Sequence, residues 1–334
     1  MRHYNIPIFM PELACPHRCV FCNQTSISSQ LHVPTDKEIL EKIETHLTSF
    51  KTENRLVQLA FFGGNFTGLP ISLQKSYLQL IQPHLKNGLI SGIRLSTRPD
   101  YIDAGILQML QSFGVTHIEL GAQSTNDKVL LASGRGHLRD AIAKASQQIL
   151  DEGFVLGLQM MIGLPKDNAE TAMQTANDVA AFGASETRIY PCLVIKETDL
   201  EELYRIGKYQ PLALDEAVEQ TASLFKFFEA QGIKVLRMGL HPSEELNTNA
   251  LVAGPYHPQF AELVYSKIWE TQFRSYTEWP ESDVIDLLIS PKQINHAAGF
   301  CSENRKILEK RYRKVRFKAD ESITGRGFKI KTSF

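Results

Sequence analysis

The chain has 334 residues, 43% of them hydrophobic and 22% charged, with a formal net charge of −1. That balance excludes a disordered or fibrous protein and leaves room for one large core, or a large and a small one. No apolar run approaches the ~20 residues that a membrane-crossing helix needs. The opening MRHYNIPIFMPELACP lacks a signal-peptide pattern, so a cytoplasmic, reducing location is expected.

In chain order, strand-like apolar runs fall at 6–10, 56–62, 92–96, 117–120, 154–161, 187–190 and 234–238. Helix-like stretches separate them. In TDKEILEKIETHLTSF, Thr35 and Glu38 form a capping box ahead of Ile39, Leu40 and Ile43. Further helical patterns cover 72–85, 104–113, 138–152, 169–182 and 214–231. Strands alternating with helices imply a parallel sheet, either doubly wound or closed toward a barrel. Most strands end in polar and glycine-rich groups: FFGGNFTG, RLSTRPD, IELGAQS and MMIGLP. A barrel collects its active site at that edge. The expected class is therefore α/β, an incomplete barrel of about six strands with a small C-terminal α+β extension.

A domain boundary is expected near residue 240, giving domains 1–240 and 241–334. HPSEELNTNALVAGPYHP reads as a long connection, followed by short helical stretches. RYRKVRFK and GFKIK then alternate as two short strands, expected to pair as a hairpin. Val315, Phe317, Phe328 and Ile330 would face the body, and Lys314, Arg316, Lys318, Lys329 and Lys331 solvent. Charge is uneven: residues 305–334 hold eleven Lys and Arg against three Asp and Glu, a net of +8. Such an end suits an anionic partner, nucleic acid included, while an ordinary solvated basic end has the same composition. Tyr312, Phe317, Phe328 and Phe334 are the aromatics available there to stack on bases.

Three of the five cysteines lie in CPHRCVFC, as Cys15, Cys19 and Cys22. In a reducing compartment such clustering points to metal or catalysis rather than disulfides. Zinc would need a fourth ligand, from His17, His3, Cys192 or Cys301, none at a usual zinc spacing. An iron–sulfur cluster is the competing reading, because thiolates are its standard ligands. Cys192 and Cys301 read most simply as isolated buried thiols.

The C-x-x-x-C-x-x-C loop after the first strand resembles that of the radical S-adenosylmethionine (SAM) enzymes. Phe21 stands where that superfamily commonly has an aromatic residue before the last cysteine. GGNFTGLP, STRPDYI, ELGAQS, GRGH and MMIGLP, in that order, resemble the catalytic subunit of Elongator over roughly residues 10–240. The oxygen-independent coproporphyrinogen dehydrogenases have a similar core. The resemblance implies a 4Fe–4S cluster on Cys15, Cys19 and Cys22, with SAM on its open iron. It implies cofactor contacts from Phe21, Gly63, Gly64, Asn65, Thr67, Gln123 and Arg135, the last facing the methionyl carboxylate. Gln159 occupies the position of a ribose-binding acid, a departure from the pattern.

The resemblance also implies an enzyme that cleaves SAM reductively to a 5′-deoxyadenosyl radical and modifies a tRNA or other RNA base. A flavodoxin or ferredoxin is the implied electron donor. The length leaves no room for the acetyltransferase domain of Elongator's subunit. A radical enzyme, or a haem- or cluster-binding protein, acting on a porphyrin-like molecule is the alternative.

Overall fold

The computed structural model describes residues 2–10, 15, 19–23, 33–51, 54–241 and 249–333. These form two compact units, Met1–Ala213 with Phe227–Pro255, and Leu214–Lys226 with Tyr256–Phe334.

The strands of the first unit are β1 (Arg2–Met10), β2 (Arg55–Gly63), β3 (Gly92–Thr97), β4 (Val115–Gln123), β5 (Val155–Ile162), β6 (Glu186–Pro191), β7 (Val194–Ile195), β8 (Lys234–Met238) and β9 (Leu251–Ala253). All but β7 and β9 form one parallel sheet of seven strands, ordered β1-β2-β3-β4-β5-β6-β8. Each of the seven apolar runs read from the sequence is one of these strands, one more than the barrel of about six strands. Helices α1 (Asp36–Ser49), α2 (Ile71–Lys86), α3 (Ala104–Ser112), α4 (Asp127–Ala132), α5 (Arg139–Asp151), α6 (Ala169–Ala181) and α7 (Asp199–Arg205) intervene, and α8 (Leu214–Ala230), most of which belongs to the second unit, precedes β8. The capping box forms: Glu38 N donates to Thr35 Oγ1 (3.3 Å) and Thr35 N to Glu38 Oε2 (2.7 Å). Ile39, Ile43 and Leu47 then bury one stripe of α1, as a period of 3.6 residues requires.

Contacts across the sheet show that it curls. Arg94 on β3 pairs with Glu186 on β6, although two strands lie between them. The Arg188 guanidinium of β6 lies 4.9 Å from the ring centre of Phe62 on β2. These side chains must share the concave face. Glu119 of β4 joins them, accepting from Arg188 Nε (2.6 Å) and Nη2 (3.1 Å), with Arg94 Nε at 3.4 Å. A closed barrel usually fills this space with branched aliphatics. Here a paired ionic layer occupies it, and pairing is what makes buried charge tolerable. Strand alternation puts the aliphatic residues on the opposite face, where Ile118, Leu120, Leu156 and Leu158 are buried.

The second unit contains α9 (Phe260–Ser275), β10 (Val284–Ile289), α10 (Ile294–Ala298), α11 (Glu303–Leu308), β11 (Lys314–Ala319) and β12 (Phe328–Ser333). The expected hairpin does not form. β10 lies between the two basic strands, parallel to β11 and antiparallel to β12. VIDLLI, an apolar run within what reads as helical sequence, is this central strand. Alternation is kept: Val315, Phe317, Phe328 and Ile330 face a core with Trp269, Phe273, Ile285, Leu287 and Ile289. Stacking on bases is therefore not available to Tyr312, Phe317 or Phe328. Tyr312 is buried, with its hydroxyl donating to Pro280 O (3.0 Å), and the two Phe rings pack on that core. Phe334 lies outside the described residues. Among the described residues no helix is long and apolar enough to cross a membrane.

Candidate active site at the cysteine loop

All seven strands of the large sheet run parallel, so their C-terminal ends share one edge. The chain leaves β1 at Met10, beside Gly63 of β2, and enters the cysteine loop there. Ordinary packing anchors the later part of that loop. Val20 N donates to Ser133 O (3.1 Å), Leu200 N to Val20 O (2.8 Å) and Asn23 Nδ2 to Lys196 O (3.1 Å). Val20, Phe21 and Met161 pack on an apolar cluster of Val129, Leu164, Cys192, Val194, Leu200 and Tyr209. Cys22 N donates to Cys19 O at 2.9 Å, a tight turn that keeps these two cysteines together.

Cys19 is buried, and its Sγ accepts from Arg135 Nη1 at 3.1 Å. Arg135 Nη2 donates to Gly121 O, while the Arg135 carbonyl accepts from Arg98 Nη2 at 2.5 Å. Arg98 is fixed in turn by two bonds to Asp100, at 2.9 and 2.8 Å. Burial opposes its charge, but Asp100, helped by the negative charge Cys19 and Cys15 carry as thiolates, outweighs that and holds its pKa above the ordinary value. Two buried guanidiniums thus flank the cysteines. Arg98 Nη1, Arg135 Nε and both ring nitrogens of His137 are buried without hydrogen-bond partners. Among the described residues no three His, Cys, Asp or Glu side chains converge as a single-ion site.

Burial in the apolar cluster pushes the Cys192 thiol up to about 12. Cys301 is exposed in the second unit, contrary to the expectation of a buried thiol. His3 opens β1 at the opposite edge of the sheet, and His17 lies outside the described residues.

The glycine motif follows β2. Gly63 has φ +84°, and a Cβ there would come within 2.5 Å of Met10 O. The need for glycine thus begins with the neighbouring strand, before any ligand is considered. Gly63→Ala is expected to cost about 1–2 kcal/mol from its left-handed backbone alone. The β1 clash adds to this, and a lowered melting temperature would register the sum. Asn65 Oδ1 accepts from Thr97 Oγ1 (2.6 Å) and Arg98 N (3.2 Å), and Thr67 Oγ1 meets Thr97 Oγ1 at 2.5 Å. The side chains of Asn65 and Thr67 therefore tie the loop after β2 to the end of β3. Gln123, with φ +67°, sits at a register shift closing β4 and accepts from Gln159 Nε2 at 3.2 Å.

Comparisons with known proteins settle the family. The profile of the Radical SAM superfamily matches residues 13–179, and that of the Radical_SAM C-terminal domain matches residues 185–270. The chain belongs to the radical SAM superfamily. It is 24% identical over 300 residues to a tRNA uridine(34) acetyltransferase of Methanocaldococcus infernus, covering 78% of this chain and 55% of that protein. It is 25% identical over 254 residues to human Elongator complex protein 3, covering 63% and 46%. The chain thus spans about half the length of these curated relatives. A solved archaeal Elp3 of M. infernus, with residues 1–46 deleted, superposes with a TM-score of 0.62 at 22% identity. That match covers 81% of this chain and 63% of the other, and supports the partial-barrel fold.

As a radical SAM protein the chain is an enzyme, and the superfamily implies a 4Fe–4S cluster and SAM. The donor set fits them: three thiols in one loop, two flanking guanidiniums, and buried donors awaiting an acceptor. Arg98 and Asp100 lie within STRPDYI, yet the motif alone does not single them out. Their signal is a charged pair bracketing a proline at a strand end.

His137, two residues from Arg135, supplies a pH test. Burial, with Arg135 and Arg98 nearby, pushes its pKa down to about 4 from 6.5. Between those values the unfolded chain binds more protons, so stability falls as pH drops from about 6.5 toward 4. His137→Gln should flatten that slope in urea titrations. An identical slope would show that His137 is not responsible.

Proposed function

We propose that this enzyme holds a 4Fe–4S cluster on Cys15, Cys19 and Cys22 and uses SAM to modify a base in tRNA. When bound, the pair supplies one-electron cleavage of SAM to a 5′-deoxyadenosyl radical. The observation that carries the reading is the hydrogen bond from Arg135 Nη1 to Cys19 Sγ at 3.1 Å, inside a matched radical SAM profile. It joins a cluster cysteine directly to a residue expected to meet the cofactor.

Within this reading the chain's own groups divide the work. Arg98 and Arg135 offset the negative charge of thiolates and of the methionyl carboxylate. Gly63 and Gly64 give close backbone approach beside Asn65 and Thr67, while Gln123 and Gln159 line the concave face. Phe21 and Met161 form an apolar wall next to the loop. A flavodoxin or ferredoxin delivers the electron. The tRNA substrate is supported by the relatives, a tRNA uridine(34) acetyltransferase and an Elongator complex protein.

Arg135→Ala is expected to weaken SAM binding by on the order of 1.5–3 kcal/mol, roughly ten- to a hundredfold. Equilibrium dialysis on reconstituted protein would measure it, and unchanged affinity would remove Arg135 from the site. The function itself is tested by incubating reconstituted enzyme, SAM, reductant and unmodified tRNA. Digestion to nucleosides should reveal one of altered mass, whereas unaltered tRNA under conditions of SAM cleavage would refute the substrate.

A further inference from the structure

We propose that the open face of the three-stranded sheet in the second unit binds the phosphate backbone of RNA. The inference rests on the reading of tRNA as substrate and says where that substrate is held. Alternation and cross-strand register define the face. Arg316 and Lys331 flank Asp286, Lys318 and Lys329 flank Leu288, and Lys314 lies beside Val284. The cations therefore form two rows along β11 and β12, with the side chains of β10 in the trough between them. The rows lie two strand spacings apart, about 9.5 Å, and successive cations within a row about 6.7 Å apart. Lys314, Lys318, Lys329 and Lys331 are exposed.

One carboxylate interrupts the face. Asp286, only 5% exposed, accepts from Lys318 Nζ at 2.6 Å and from Arg316 Nε. Five cations against this one buried acid leave the face strongly positive. Asp320, after β11, adds a weaker attraction on Lys329 and Lys331. Successive cations within each row repel one another. A polyanion removes that repulsion. The aromatic residues of these strands point into the core, so contact is with phosphates and carries little sequence preference. Lysines on edge strands also discourage sheet-to-sheet association, which is the structural alternative. Asp286 separates the two: it limits anion binding, yet edge protection gives it no such role.

The test measures binding of an unmodified tRNA transcript to the full chain by fluorescence anisotropy across NaCl concentrations. The variant Lys314→Gln/Lys329→Gln/Lys331→Gln leaves the Asp286 ion pairs in place. Its salt slope should fall by about one unit per lysine. Asp286→Asn should strengthen binding about fivefold at low salt, the effect of removing one nearby charge. If wild type and triple variant bind tRNA alike, the surface is wrong while the tRNA reading stands. Retention on phosphatidylserine vesicles but not tRNA would overturn the surface in favour of a membrane. Lysine-dependent tRNA binding with no nucleoside change would keep the surface and refute the substrate reading.

Discussion

Replacing Cys15, Cys19 or Cys22 singly by Ala is expected to abolish the brown charge-transfer absorbance after anaerobic reconstitution with iron and sulfide. In the proposed site each thiolate would ligate its own iron, so no remaining ligand would substitute for a lost one. Cys192 and Cys301 provide the contrast. One is held protonated within an apolar cluster and the other is exposed in the second unit, so their Ala variants should reconstitute as the parent does. Iron content and absorbance per chain are the measurements. Full cluster occupancy in the triple-Ala variant, or uptake of one zinc and no iron by the parent, would overturn the ligand assignment.

Glu119→Ala should produce the largest loss of stability. Glu119 lies between Arg94 and Arg188, all three side chains at most 12% exposed. Its removal takes the carboxylate partner from buried Arg188 and leaves Arg94 with Glu186 alone, a type of change that costs roughly 3–5 kcal/mol. That is a large share of the ~5–15 kcal/mol that typically holds a domain folded. Glu119→Gln keeps the volume and an acceptor, and should lose less. Glu41→Gln breaks only an exposed pair with Lys37, so a change within about 0.5 kcal/mol is expected. Urea unfolding would rank the three. Equal stability of Glu119→Ala and the parent would mean the concave ionic layer contributes little to the fold.

The large sheet was legible because its strands are short, apolar-rich runs ending in polar and glycine-rich groups and alternating with amphipathic helices. Thr35 and Glu38 likewise announce α1 through chemistry confined to four residues. The second unit was harder for a physical reason. RYRKVRFK and GFKIK show their strand character locally, but nothing local says that VIDLLI will separate them. A central strand is chosen by tertiary partners, and an apolar run of six residues has no period to mark it. β7 and α7 were missed for the related reason of brevity, at two and seven residues.

The site divides in the same way. Cys15, Cys19 and Cys22 declare themselves by spacing. The Arg135–Cys19 contact joins residues 116 apart, and Arg188–Glu119 residues 69 apart, so only the folded chain brings them together. The Gly63 requirement is visible in its motif, yet the first atom to demand it is Met10 O on the adjacent strand. Gln159 departs from the acid expected at its position, and its hydrogen bond to Gln123 gives the amide a partner of its own.

The central claim is that SAM cleavage here serves an RNA substrate. It is tested most directly by quantifying 5′-deoxyadenosine from anaerobically reconstituted enzyme, SAM and reductant, with and without unmodified tRNA. The account predicts 5′-deoxyadenosine formation that requires all three cluster cysteines and rises when tRNA is added. No 5′-deoxyadenosine from enzyme with a full cluster, or a rate indifferent to tRNA alongside unaltered nucleosides, would contradict it.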